Sequence, residues 1–166
     1  SKHLLLGNIE KQQLNYFYQG KVVKSYSMSS SKQPPSCKEN SLGTPWGMHI
    51  VCEKVGYGQR EGMVFEGRVP IGITANQCGI EKQKRNLITS RILRLEGLEP
   101  GINRGGEVDT YSRYVYIHGT NHEYNIGSPS SSGCLQLSNA DVIDLFDLIS
   151  VGTHLFIQEI KDSRGH

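Results

Sequence analysis

The stretch "RYVYIHGTNHEYNIGSPSSSGCLQLSNADVIDLF", residues 113–146, changes its pattern three times. Aromatic and β-branched residues lead it, and they predict a strand that ends on His118 before the turn Gly119-Thr120-Asn121. A serine-rich loop follows and delivers Gly133-Cys134. Ser138, with Asp141 three residues on, then resembles a capping box. Val142, Leu145, Phe146 and Ile149 recur at helical spacing and Gly152 is a plausible stop, so a helix with a core-facing stripe is predicted.

Cys134 poses the chemical question. Free cysteines usually pack as small apolar residues, and Cys37, Cys52 and Cys78 read that way, with no C-x-x-C pair and no dense framework. A nucleophilic thiol needs a base or a cation, because an ordinary thiol is protonated at neutral pH. It also needs donors aimed at the oxyanion that forms on attack. Gly133 permits a tight backbone in which the N–H groups of Ser132, Gly133 and Cys134 converge. No residue of 128–137 can serve as base.

Six histidines are candidates. His3 and His166 are terminal and expected to be mobile, while His49 and His154 fall in predicted strands as structural residues. His122 lies in a polar loop. His118 closes a strand where a loop begins, a place from which a fold presents a rigid side chain to a cleft. His118 and His122 stand four apart, but Gly119 and Asn121 between them argue against the helix that would turn both onto a metal, so no metal site is expected.

Outward from this stretch the chain is rich in glycine, tyrosine and short apolar runs, which predicts a mainly β domain. Residues 12–28 read as a hairpin about Gln19-Gly20, with Leu14, Tyr16 and Tyr18 on one face. "MHIVCEKV", "GMVFEGRVPIGI", "RNLITSRILRLEG" and a closing "THLFIQEI" are further strand candidates, and residues 29–47 read as a loop unable to pack on its own. At 166 residues, one domain over 1–166 is expected. Net charge is only +2 and evenly spread, which gives no basis for nucleic-acid binding. No apolar run approaches the roughly 20 residues of a membrane span, and the three leucines before Gly7 are too short for a secretory signal core.

Taken together, "YIHGT", "SGCLQLSNADVIDLF" and "VGTHLFI", with His118 and Cys134 16 positions apart, resemble the L,D-transpeptidase (YkuD-type) catalytic domain. The family pattern is H-G-T, a loop, S-H-G-C-x-R, an amphipathic helix and a closing strand. "KQQLNYFYQGKVVKSYSMSS" and "GTPWGMHIV" extend the resemblance over nearly the whole chain.

The resemblance implies a YkuD-like β-sandwich with one amphipathic helix after the cysteine. It implies a cell-envelope enzyme acting on peptidoglycan stem peptides, without a cofactor, and open to acylation by carbapenem β-lactams. By carry-over, Cys134 attacks the L,D-peptide bond after the third stem residue, D-Ala leaves, and the thioester passes to an amine of another stem. His118 takes the thiol proton, the Gly119 carbonyl orients the imidazole, and the amides of Ser132, Gly133 and Cys134 form the oxyanion hole. Tyr116, Thr120, Ser131, Gln136 and Arg113 are expected to contact substrate. Two positions depart from the motif: Ser132 stands where the family has histidine, and Gln136 where it has arginine. A hydroxyl carries no charge near neutrality, and an amide lacks the bidentate cationic fork of arginine.

Overall fold

A computed structural model describes residues 2–159. Strand β1 (His3–Asn8) runs parallel to β10 (His154–Gln158) and antiparallel to β2 (Gln13–Tyr18). β2 turns into β3 (Lys21–Ser27) through Gln19 and Gly20. Both have positive φ, 52° and 79°, as a tight two-residue hairpin requires. Leu14 and Tyr16 are buried as the alternation predicts, whereas Tyr18 is exposed at the strand's end.

The run read as a single strand, "GMVFEGRVPIGI", is instead a hairpin of β5 (Met63–Glu66) and β6 (Val69–Thr74). Gly67 and Arg68 take φ 56° and 66° and reverse the chain between them. β4 (Gly47–Val55) pairs β10 on one side and β7 (Ile88–Gly97) on the other. On one edge β7 gives Ile88 and Thr89 to β5 and its later residues to β4; on the other it carries β8 (Tyr116–Thr120). Ser90, at φ 70°, sits where the register of β7 shifts.

The short β9 (Leu135–Leu137) lies parallel to β8. Neither β1 nor β9 stands out in sequence: β9 has three residues, too few to display a period. The same is true of the four-residue helix α1 (Ile80–Gln83).

Helix α2 (Asn139–Leu148) starts where predicted, with Ser138 Oγ accepting the Asp141 N–H at 3.2 Å. It ends earlier than Gly152, because Ile149 is already extended, and Gly152 (φ 100°) serves the following turn. Val142, Leu145 and Phe146 bury the expected stripe, each contributing roughly 1.5–3 kcal/mol by transfer from water. Side chains from β1, β2, β4 and β10 meet those of β7, β8, β9 and α2 in one apolar core, and Leu135 of β9 packs over Gly7 of β1. This is the sandwich arrangement, with α2 covering β7 and β8.

Two expectations need correction. His3 is no loose terminus: it begins β1, its Nδ1 lies 2.6 Å from the Tyr16 hydroxyl, and the two rings stack. The loop at 29–47 packs firmly, since Ser29 bridges Gln136, Ser31 bridges Ser131, and Cys37 and Thr44 are buried. His49 is structural as expected, buried between the Gly47 carbonyl (3.0 Å) and the Thr110 hydroxyl (2.9 Å). His166 and Ile160 of the last predicted strand fall outside the described residues. Among the described residues all four thiols are free and no helix is long and apolar enough to cross a membrane.

Candidate active site

Strand alternation assembles the site. Ile117 of β8 and Leu135 and Leu137 of β9 point into the core. Tyr116, His118, Cys134 and Gln136 therefore share the opposite face of the paired strands. The parallel register sets Ile117 beside Leu135 and His118 beside Gln136, which places Cys134 along Tyr116, one step from His118. The Tyr116 N–H donates to Cys134 Sγ at 3.3 Å, and the thiol reaches the Tyr114 carbonyl at 3.7 Å.

His118 is buried, and its Nδ1 lies 2.6 Å from the Gly119 carbonyl oxygen. A carbonyl only accepts, so Nδ1 carries the hydrogen and the neutral ring keeps its lone pair on Nε2. Burial pulls the imidazole down to about 4, against a smaller upward pull from the Gly119 bond. Burial likewise pushes the Cys134 thiol up to about 11, although the residue keeps some exposed surface. The Tyr116 hydrogen bond and the Arg113 charge lower it in part. The resting pair at neutral pH is thus thiol and neutral imidazole, and proton transfer has to accompany attack rather than precede it.

The cysteine loop is tied on all sides. Ser131 Oγ donates to the Cys134 carbonyl at 2.6 Å and accepts the Gly133 N–H at 3.1 Å. Gly133 has φ 132°, a conformation that side chains oppose. Its carbonyl accepts from the Thr44 hydroxyl at 2.9 Å. Of the three amides expected to face an oxyanion, that of Gly133 is therefore already committed. Those of Ser132 and Cys134 find no protein acceptor among the described residues.

Gly119 is required for a different reason. A Cβ there would lie 2.6 Å from the Thr89 carbonyl and 2.8 Å from Asn139 Oδ1. That asparagine receives the Thr89 and Ser90 hydroxyls at 2.6 and 2.5 Å and donates to the Thr120 carbonyl, pinning α2 to β7 and β8.

The residues expected to contact substrate divide into two groups. Tyr116, Thr120 and Ser131 are buried and hydrogen-bonded within the protein. Arg68 donates to the Tyr116 hydroxyl at 3.0 Å, and Thr120 Oγ1 accepts the His122 N–H at 3.0 Å. Gln136 is buried too, its Nε2 donating to Asn86 Oδ1 at 2.7 Å, but it borders a cleft.

Arg113, half-buried, donates to the carbonyls of Gly43 (2.6 Å) and Ser36 (3.1 Å) while lining a cleft of about 280 Å³ with Leu42, Tyr114 and Ser132. Most of its donors brace the loop beside Gly133. His122 donates from Nε2 to the Gln83 carbonyl at 2.8 Å. Ser132 is exposed. Thr44 and Asn86, which hold the loop and Gln136, carry no signal in sequence: their roles arise only from contacts between distant segments. No group of three or more metal-ligating side chains occurs among the described residues.

The class the structure defines is a mainly β sandwich that sets a cysteine loop and a histidine of fixed tautomer on one strand face. The profile of the L,D-transpeptidase catalytic domain, YkuD, matches residues 2–157, and the chain belongs to that family. YqjB of Bacillus subtilis, a curated protein classed with the L,D-transpeptidases, is 42% identical over 50 residues, which cover 30% of this chain and 28% of that protein. L,D-transpeptidase 3 from Mycobacterium tuberculosis, solved with a faropenem-derived adduct, aligns with a TM-score of 0.59 at 14% identity over 95% of this chain and 60% of that one. The L,D-transpeptidase LdtMt1, solved with imipenem, aligns with a TM-score of 0.57 at 17% identity over 95% and 59%. At these identities the solved structures establish the fold. The chain spans under two thirds of each relative's length.

Proposed function

We propose that this domain catalyses L,D-transpeptidation of peptidoglycan stem peptides in the cell envelope. Family membership supports the reaction class. The observation that carries the reading is the placement of Cys134 and His118 on one face of paired β8 and β9, with the Nδ1 hydrogen held by Gly119.

In the first half-reaction the thiol sulfur attacks the carbonyl carbon of the L,D-peptide bond after the third stem residue. Nε2 of His118 takes the thiol proton as the S–C bond forms. The carbonyl oxygen becomes an oxyanion facing the Ser132 and Cys134 amides. Collapse breaks the C–N bond, and His118 returns the proton to the departing amine of D-alanine. In the second half-reaction a side-chain amine of another stem attacks the thioester, loses its proton to His118, and releases the thiol. No step draws on a cofactor.

Incubation with disaccharide-tetrapeptide, followed by mass spectrometry, tests this reading. A cross-linked dimer with release of D-alanine is expected. Tripeptide without dimer would replace transfer by hydrolysis, with water as acceptor, and no product from protein with an intact Cys134 thiol would overturn both.

A further inference from the structure

Ser132 also borders a second, polar cleft of about 190 Å³, lined by Lys32, Lys84, Asn86, His122 and Gln136 among others, with no carboxylate in its wall. The two ammonium groups come from unrelated segments, Lys32 after β3 and Lys84 at the end of α1. Lys32 makes no ion pair among the described residues. Lys84 meets Glu81 at 3.1 Å with both side chains largely exposed, a pairing weak enough to exchange for a ligand. Asn86 Oδ1 accepts from Gln136 and, at 3.4 Å, from the Thr120 hydroxyl. Its acceptor is therefore turned inward, and its amide hydrogens remain as donors.

The cleft thus gathers positive charge and donors around Gln136, which itself carries no charge. Its wall includes Ser132, two residues from the thiol.

The geometry points to this cleft as a carboxylate-binding pocket for the peptide substrate, in which Lys32 and Lys84 supply the charge that Gln136 does not. The inference rests on the transpeptidase reading and narrows it. The preferred acyl donor carries a free side-chain carboxylate on its third residue, the one whose carbonyl is attacked, and a stem amidated at that carboxylate is a poor donor. Inorganic phosphate would present similar chemistry to the same lysines, so it serves as the competing ligand in the test.

Two synthetic tetrapeptide stems, identical except that the side-chain carboxylate of the third residue is free or amidated, are compared on wild type, Lys32→Met/Lys84→Met and Lys32→Arg/Lys84→Arg. Wild type should favour the free acid by roughly tenfold in kcat/KM. The preference should shrink at high salt, vanish in the methionine variant through loss on the acid alone, and persist in the arginine variant. Equal rates on wild type, or an equal fall on both peptides in the methionine variant, would overturn the pocket.

Binding of both peptides and of phosphate to the Cys134→Ala protein, by calorimetry, gives a readout independent of turnover. A lysine-dependent preference for the acid peptide supports the pocket even if the transpeptidase reading fails. Lysine-dependent binding of phosphate without peptide discrimination overturns it.

Discussion

Replacing His118 by alanine should slow acylation of Cys134 by roughly 10²–10⁴-fold at pH 7. The thiol stands near 11 and the imidazole near 4, so neither is charged across the neutral range. Only a base acting during attack can then make the sulfur reactive. The pH profile carries the same argument with a definite sign. With His118 present, the reactive form is thiol plus neutral imidazole. Its population is constant between the two values and falls as pH drops through about 4, where the ring protonates.

Without the ring the reaction needs free thiolate, so the rate of His118→Ala should climb about tenfold per pH unit towards the thiol's own value. A flat wild-type profile from pH 5 to 9 beside a rising one for His118→Ala, followed by intact-mass kinetics with a carbapenem, is the expected pair. Parallel profiles would remove His118 from proton transfer.

Gly119→Ala should damage both fold and site. The new methyl would meet the Thr89 carbonyl and Asn139 Oδ1 well inside contact distance. Both belong to the hydrogen-bonded seam between β7, β8 and α2, so neither can rotate away. Overpacking of this kind costs about 1–3 kcal/mol, which lowers Tm by roughly 3–10 °C in a chain of this size. A displaced β8 also carries the Gly119 carbonyl off the His118 Nδ1 hydrogen, freeing the ring to take the wrong tautomer, so acylation should slow as well. Gly79→Ala is the control, since its Cβ position has nothing within 4 Å and its φ is ordinary. An unchanged Tm for Gly119→Ala would contradict the packing argument.

Much of this was legible in sequence because it is local. The Ser138 cap, the stripe of α2 and the hairpin about Gln19-Gly20 each follow from neighbouring residues alone, whereas β8 runs past its expected end at His118, because Gly119 and Thr120 still pair with β7. β9 was not legible, although it is the element that sets Cys134 beside Tyr116. Three residues have no period, and their strand state comes from pairing with β8 and bridging Ser29.

The second hairpin was hidden because positive φ at Arg68 has no signature of its own. The burial of Tyr116, Thr120 and Ser131 was not legible either, because polar side chains beside a motif read as exposed. Here they hold the strands and loop that carry the motif. Lys32 and Lys84 lie in segments remote from Cys134 in sequence, and the fold brings them together at the cleft.

The most direct measurement of the central claim is the intact mass of the protein after exposure to imipenem, for wild type and Cys134→Ala. Attack by the Cys134 sulfur on the β-lactam carbonyl opens the ring and predicts a gain of one inhibitor mass on wild type, with none on Cys134→Ala. An unmodified wild type with a titratable thiol, or an adduct that survives the loss of Cys134, would contradict the account.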